Sequence, residues 1–275
     1  MIASVAMNKL LVTSLALFIA SCAAPTIRPL TSDAISPVKS SATRTVVTTS
    51  PRFEKLLAAA RAGTLTERFP EKDEAEVSIA ADQLPTGVSA ADVFKGTYRA
   101  SAKTSFAEGA AQSMADTAAL VATLPPDSSM RSNFAHLISD SDGVDDPRED
   151  VENKNVTIKA WIYWAKKESD RDFHVIVGDT PVPQSDTVLL NTEVSGLPRD
   201  NPTEPNITAT RKVIKDLLAQ HHPNHGLFQQ PVHVRITGSL FWDGEHSTQH
   251  VGPQGLQPDT AWEIHPIKKL TVLQD

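Results

Sequence analysis

The carboxyl-terminal part of the chain alternates apolar and polar side chains with a period of two, which is typical of β-strands. The first run carries apolar residues at every second position: Val156, Ile158, Ala160, Ile162 and Trp164. Residues 173–177 alternate in the same way after the polar stretch KKESDRD, so the two runs predict a hairpin. Three further strand patterns and one helical pattern follow, at residues 187–194, 232–242 and 262–273 and at residues 208–220. The predicted order over residues 153–275 is β-β-β-α-β-β.

The region before these strands carries helical signals. Ser50 and Pro51 are typical of a helix start, and Gly63 is typical of a helix end. One apolar stripe lies between them: Phe53, Leu56, Leu57 and Ala60. Residues 89–95 and 102–124 have an Ala-rich helical composition, which Pro125 and Pro126 terminate. We therefore predict that residues 51–139 are helical or partly ordered, and that the chain as a whole is a β-rich α+β protein.

Two polar segments flank this region. Residues 22–50 are rich in Ser, Thr, Pro and Ala and have few large apolar side chains, so they are predicted to form a flexible tether. Residues 140–150 contain six acidic residues and one Arg. A calcium loop of the EF-hand type would need an acid or Asn at Val144, so we interpret residues 140–152 as an acidic, solvated linker.

The amino terminus has the pattern of a secretory signal. Residues 10–19 form an apolar run behind Lys9 that is too short to span a bilayer. The following Ile19-Ala20-Ser21-Cys22 resembles the lipobox of bacterial lipoproteins. The alternative is an ordinary signal peptide that has a Cys near its end.

Membership of the lipoprotein class would imply that residues 1–21 are removed and that Cys22 carries a diacylglycerol thioether. Two or more acyl chains hold a protein stably on a membrane surface. Because Ala23 follows instead of Asp, the resemblance implies the outer membrane, with the protein facing the periplasm of the bacterial cell envelope. The membrane is thus the first expected partner.

The element order of residues 153–275 resembles the OB-fold, a five-stranded, partly open barrel with a helix between its third and fourth strands. The resemblance rests on element order and not on a diagnostic motif. It implies a ligand that lies across the second and third strands, flanked by the loops between the first two and the last two strands.

Composition excludes several functional classes. The net charge of −7 disfavours a nucleic-acid partner, and the single Cys excludes a disulfide framework or a thiolate zinc cluster. The chain lacks a Gly-x-Ser-x-Gly elbow and a phosphate-binding Gly-rich loop. We therefore expect a binding protein without a cofactor.

Aromatic side chains offer one candidate binding surface. Trp161, Tyr163 and His174 fall on the side of the first two strands opposite the apolar alternation, where they would form a stacking platform for a ligand. In the alternative interpretation, the amino-terminal helices cover this side and the rings belong to the core.

A second candidate lies in the long loop between the last two strands and in the strand that follows. Glu263 and His265 are two residues apart and so share one face of that strand. With Asp243 and His246 from the loop, they are a candidate metal set, although Glu263 and His265 could instead share a hydrogen bond.

The sequence thus predicts a membrane-anchored lipoprotein that presents an OB-like binding or adaptor domain to an unknown envelope protein, glycan or other ligand. The alternative is a metal-dependent envelope hydrolase, of the nuclease or phosphoesterase type, with a site near His246, Glu263 and His265.

Overall fold

The structure, a computed structural model, describes residues 50–68, 77–138 and 145–274. The predicted signal peptide, Cys22, nearly all of the tether and the first part of the acidic segment lie outside these residues. The described residues belong to one compact unit. None of the helices among them is long and apolar enough to cross a membrane.

The described residues form five α-helices, eight strands and two short 3-10 helices. The α-helices are α1 (Pro51–Arg61), α2 (Ala100–Thr104), α3 (Thr117–Val121), α4 (Asp127–Asn133) and α5 (Pro205–His221). The strands are β1 (Glu67–Arg68), β2 (Gln112–Ser113), β3 (Asn155–Lys167), β4 (Phe173–Gly178), β5 (Leu189–Val194), β6 (Leu227–Trp242), β7 (Gly252–Pro253) and β8 (Trp262–Val272). The 3-10 helices are Ala81–Gln83 and Ala135–Ile138. The predicted α+β class is confirmed.

Six strands form one mixed sheet in the order β2-β3-β4-β5-β8-β6. Because β3 also pairs with β6, the five long strands close into a ring. The β5–β8 pair is parallel, whereas the other pairs within the ring are antiparallel. The predicted hairpin is the β3–β4 pair, and α5 lies between β5 and β6 as predicted.

The interior of the ring contains the apolar residues that alternate along its strands. On β3 these are Val156, Ile158, Ala160 and Ile162, all buried in the main core cluster. The alternation changes at a β-bulge between Ile162 and Trp164. A bulge adds one residue to one strand, so the side chains beyond it change face. The alternation predicted that Trp164 continues the interior stripe. Because of the bulge, Trp164 instead belongs to a second core cluster.

Helix α1 packs against the outside of the ring at this bulge. Its start matches the prediction, since the Ser50 hydroxyl accepts a hydrogen bond from the Phe53 backbone N–H and Pro51 opens the helix. The buried stripe of α1 shares a second core cluster with Tyr163 and Trp164. The bulge and α1 together divide the apolar residues between the interior of the ring and one outer layer.

The Ala-rich residues 102–124 are helical only in part, in α2 and α3. The chain leaves α2 at Ser105, which is extended, and Gly109 adopts a positive φ of 84°. Residues 112–113 then pair with β3 as strand β2, and Asp116 caps the five-residue helix α3. Strand pairing outweighs the local preference of Ala for helix. Residues 89–95 also form turns and an isolated bridge in place of a helix.

A buried ion pair joins Arg99, the residue before α2, to Glu152 at the end of the acidic segment. Nη1 and Nη2 of Arg99 donate to Oε1 and Oε2 of Glu152 at 2.9 and 2.6 Å. The side chains are 1% and 0% exposed. The Glu152 carboxylate also accepts backbone N–H bonds from Glu149 and Trp242, both at 2.7 Å. Glu152 therefore belongs to the folded interior and not to a solvated linker.

We expect Glu152→Gln to lower the free energy of unfolding by about 3 kcal/mol, because it leaves the Arg99 charge buried without its counter-ion. Urea denaturation of the purified protein measures the change. Glu149→Gln is the matched control, since the pair of Glu149 with His136 is partly exposed and is expected to contribute less than about 1 kcal/mol. Equal losses in the two variants would contradict this assignment.

Candidate functional site

A row of polar side chains lies on the outer face of β4, β5 and β8. Because side chains alternate along a strand, the residues between the interior ones face outward: His174, Asn191, Glu193, Glu263 and His265. His174 pairs in register with Glu193, and Asn191 with Glu263. All five are buried, so this face is covered.

The cover comes from the chain itself. Lys103 of α2 is only 4% exposed, and its charge acts on Asp172 and His265. Tyr98 and Ala102 pack with Phe241 of β6 in a small apolar cluster beside it. A buried ammonium group and several buried carboxylates thus face one another beneath α2.

His265 is the centre of this buried cluster. Its Nε2 lies 3.1 Å from Oδ2 of Asp172, and its Nδ1 lies 3.1 Å from Oε2 of Glu193 and 3.7 Å from Oε2 of Glu263. Burial would lower the pKa of His265, but the neighbouring carboxylates of Asp172 and Glu263 raise it above its ordinary value. Burial would raise the pKa of Asp172, which the His265 contact holds below the ordinary range.

His174 is connected to the same row through an amide. Its Nε2 lies 2.9 Å from Oδ1 of Asn191, whose Nδ2 donates to Oε1 of Glu263 at 3.3 Å. The His174 ring meets Trp164 edge-on, with ring centroids 5.4 Å apart. This residue thus lies in the polar row and is only 2% exposed.

The two aromatic residues predicted to accompany His174 lie under and beside α1. Tyr163 is fully buried, and its hydroxyl donates to the carbonyl of Thr180. Burial raises the pKa of Tyr163 to about 12. Trp161 is partly exposed and stacks on His233 at 4.4 Å between centroids. The structure does not bring the rings of Trp161, Tyr163 and His174 together on one open surface.

The four residues of the predicted metal set lie in two pairs. Nδ1 of His246 is 2.5 Å from Oδ2 of Asp243, while Glu263 faces His265. Burial would lower the pKa of His246, but the Asp243 carboxylate raises it to about 9. Asp243 is itself buried, and the His246 charge holds the pKa of this carboxyl below its ordinary range.

In the described part of the chain, one group of three metal-capable side chains has ligand atoms within 4.8 Å of one another: Asp172, Glu193 and His265. The sequence pattern indicates His265 as a candidate ligand, but not Asp172 or Glu193. Glu193 occupies an outward position of the predicted third strand, and Asp172 is the last residue of the hairpin tip. The position of each residue could be predicted from the sequence. The pairing of β4 with β5 and of β5 with β8, which brings the residues together, could not.

The long loop between β6 and β8 forms one side of a groove of about 600 Å³ whose other side is the α3–α4 region. Asp127 of α4 accepts hydrogen bonds from Trp242 Nε1 at 2.9 Å and from the Ala261 backbone at 3.0 Å. Its Oδ2 lies 3.5 Å from Nε2 of His250. Arg131 donates to the Ser247 carbonyl at 2.5 Å. These contacts hold the loop against α4.

The Asp243–His246 pair should make stability depend on pH. A His whose pKa is higher in the folded state than in the unfolded state stabilises the fold fully below about pH 6.5 and loses that contribution as the pH rises through about 9. We expect the stability advantage of the wild type over His246→Gln to fall by as much as about 3 kcal/mol across this window. Urea titrations at intervals from pH 6 to pH 10 measure it; an advantage that stays constant would refute the assignment.

No model of a known protein family matches this chain, and no curated protein matches it.

Proposed function

We propose that this protein is a bacterial lipoprotein, anchored in the cell envelope through a lipidated Cys22, whose carboxyl-terminal domain is an OB-like adaptor that binds another envelope protein. The closed ring of five strands and the helix α5 between its third and fourth members support the OB-like assignment. The lipobox-like Ile19 to Cys22 supports the anchor.

The groove beside the long loop is the observation that carries the adaptor function. In OB-folds the ligand usually lies across the second and third strands, next to the loop between the last two. Here the outward-facing residues of β4 and β5 are buried, and Ile176 and Leu189 among them pack in the same cluster as α1. We therefore place the partner on the loop side. The groove adjoins this side and is open.

The groove fits a polar peptide segment. It presents the carboxylates of Asp127 and Asp259, the guanidinium of Arg131 and the imidazole of His250 beside the apolar rings of Pro125 and Pro126. The hydrogen bond with Asp127 raises the pKa of His250. Donors and acceptors that are already fixed by internal contacts lose little side-chain entropy on binding.

A metal-dependent hydrolase is less well supported by the same structure. A catalytic metal keeps one coordination position open to water or substrate. The carboxylate and imidazole groups around His265 are buried beneath α2, and none of the residues that line the groove belongs to them. The adaptor function is therefore preferred.

Site-specific photo-crosslinking in the native host tests the adaptor function. We expect a crosslinker at Ser128 or Thr248, which are exposed on the two sides of the groove, to capture one and the same envelope protein. Lys212, exposed on α5, is the control position and should give no such adduct. Absence of an adduct, equal capture from Lys212, or an adduct that is a glycan would contradict the proposal.

The anchor is tested by Cys22→Ser. We expect the wild type to sediment with membranes and to carry acyl chains on residue 22. We expect the variant to carry no acyl chain, and to appear in the soluble fraction wherever its signal is cleaved at another site. Fractionation followed by mass spectrometry of the amino-terminal peptide measures both. A bare thiol on the wild-type protein would overturn the lipoprotein assignment.

A further inference from the structure

The cluster around His265 has an excess of negative charge. Three carboxylates, those of Asp172, Glu193 and Glu263, face the imidazole within 3.7 Å, and all are buried. The ammonium group of Lys103 is also buried, and its charge acts on both His265 and Asp172. The three carboxylates outnumber this buried ammonium group. Buried charge is costly unless it is paired, so a cluster rich in carboxylates is a suitable environment for a bound cation.

The contacts of His265 are close but badly directed for hydrogen bonds. Both ring nitrogens lie 3.1 Å from a carboxylate oxygen, yet neither nitrogen has a partner in hydrogen-bonding geometry, and Oδ2 of Asp172 has none either. The imidazole is 0% exposed. Buried polar atoms are nearly always satisfied, and an ion bound between them is one of the recognised reasons for an exception.

The spacing of the same atoms suits metal coordination. Ligand atoms about 2.0–2.2 Å from a tetrahedral Zn²⁺ lie roughly 3.3 Å from one another. One atom from each of Asp172, Glu193 and His265 lies within 4.8 Å of the other two, so a small adjustment would bring all three onto one ion. A mixed nitrogen and carboxylate set is used for first-row transition metals.

We propose that Asp172, Glu193 and His265 bind one divalent transition-metal ion, for which Zn²⁺ is the reference, and that this ion stabilises the packing of α2 on the outer face of the ring. One ring nitrogen of His265 binds the ion, and the other donates to a neighbouring carboxylate, which is the usual arrangement for a metal-bound imidazole. The inference does not depend on the adaptor function.

The burial of the ligands makes this a structural site. Structural metal sites are closed by protein groups, whereas catalytic sites keep a free position. Lys103 and the apolar cluster of Tyr98, Ala102 and Phe241 cover the site. An ion bound to the folded state alone stabilises that state by mass action.

The first experiment is a Zn²⁺ titration of the full chain in detergent, after treatment with a chelator. Because the ligands are buried, the ion is added both to the folded protein and during refolding from urea. We expect one Zn²⁺ per chain, a higher melting temperature, and release of about one proton per ion in calorimetry when His265 starts protonated. No stoichiometric binding under either condition would overturn the proposal and leave His265 as a cation between carboxylates.

Variants separate this site from adventitious binding at the surface. Glu193→Gln keeps the shape of the side chain but removes a ligand, and we expect roughly 10- to 100-fold weaker binding and no rise in melting temperature with Zn²⁺. The control is a double variant, His221→Gln with His222→Asn, since these exposed imidazoles are the obvious surface site. Its Zn²⁺ response should equal that of the wild type.

Binding lost in the histidine double variant but kept in Glu193→Gln would show adventitious surface binding only. Co²⁺ added to the wild type gives a readout that does not depend on the folding of Glu193→Gln. A four- or five-coordinate nitrogen–oxygen site gives visible absorption that a hexahydrated surface ion lacks, and a spectrum of the hydrated type would overturn the proposal.

Discussion

The pairing of buried charges decides how the amino-terminal region is attached to the ring. Two cations from this region enter the interior, Arg99 against Glu152 and Lys103 against the cluster around His265. Burial of either cation alone would cost several kcal/mol, so each depends on a carboxylate supplied by a distant part of the chain. The short helix α2 has only five residues and cannot be stable by itself. It is therefore held by these electrostatic contacts and by the small apolar cluster around Phe241.

The bulge in β3 has a comparable effect on the apolar residues. By adding one residue after Ile162, it directs Tyr163 and Trp164 together toward α1. A single ring of strands thus supports an inner core and an outer apolar layer, and a separate polar layer lies beneath α2. These layers leave the side of the long loop accessible.

The sequence predicted the ring strands well because their alternation reflects one buried face, which local spacing encodes. Helix α1 was also predictable, since Ser50, Pro51 and the apolar stripe act within a few residues of one another. The strand β2 within the Ala-rich residues 102–124 was not predicted, because its pairing with β3 is a long-range contact. Only part of the buried cluster could be predicted from the sequence. Glu263 and His265 lie on one strand, whereas Asp172 and Glu193 come close to them only through the pairing of the strands.

The position of α1 has a mechanical consequence. The Ser50 hydroxyl contacts the carbonyl of Pro183, and the Arg52 guanidinium donates to the carbonyls of Gln184 and Gly255. The first turn of the helix is therefore fastened to two separate loops of the ring. A pulling force applied to the chain before Ser50 would be distributed over both loops before α1 separates from Tyr163. The contacts of the first turn therefore give α1 mechanical resistance to such a force.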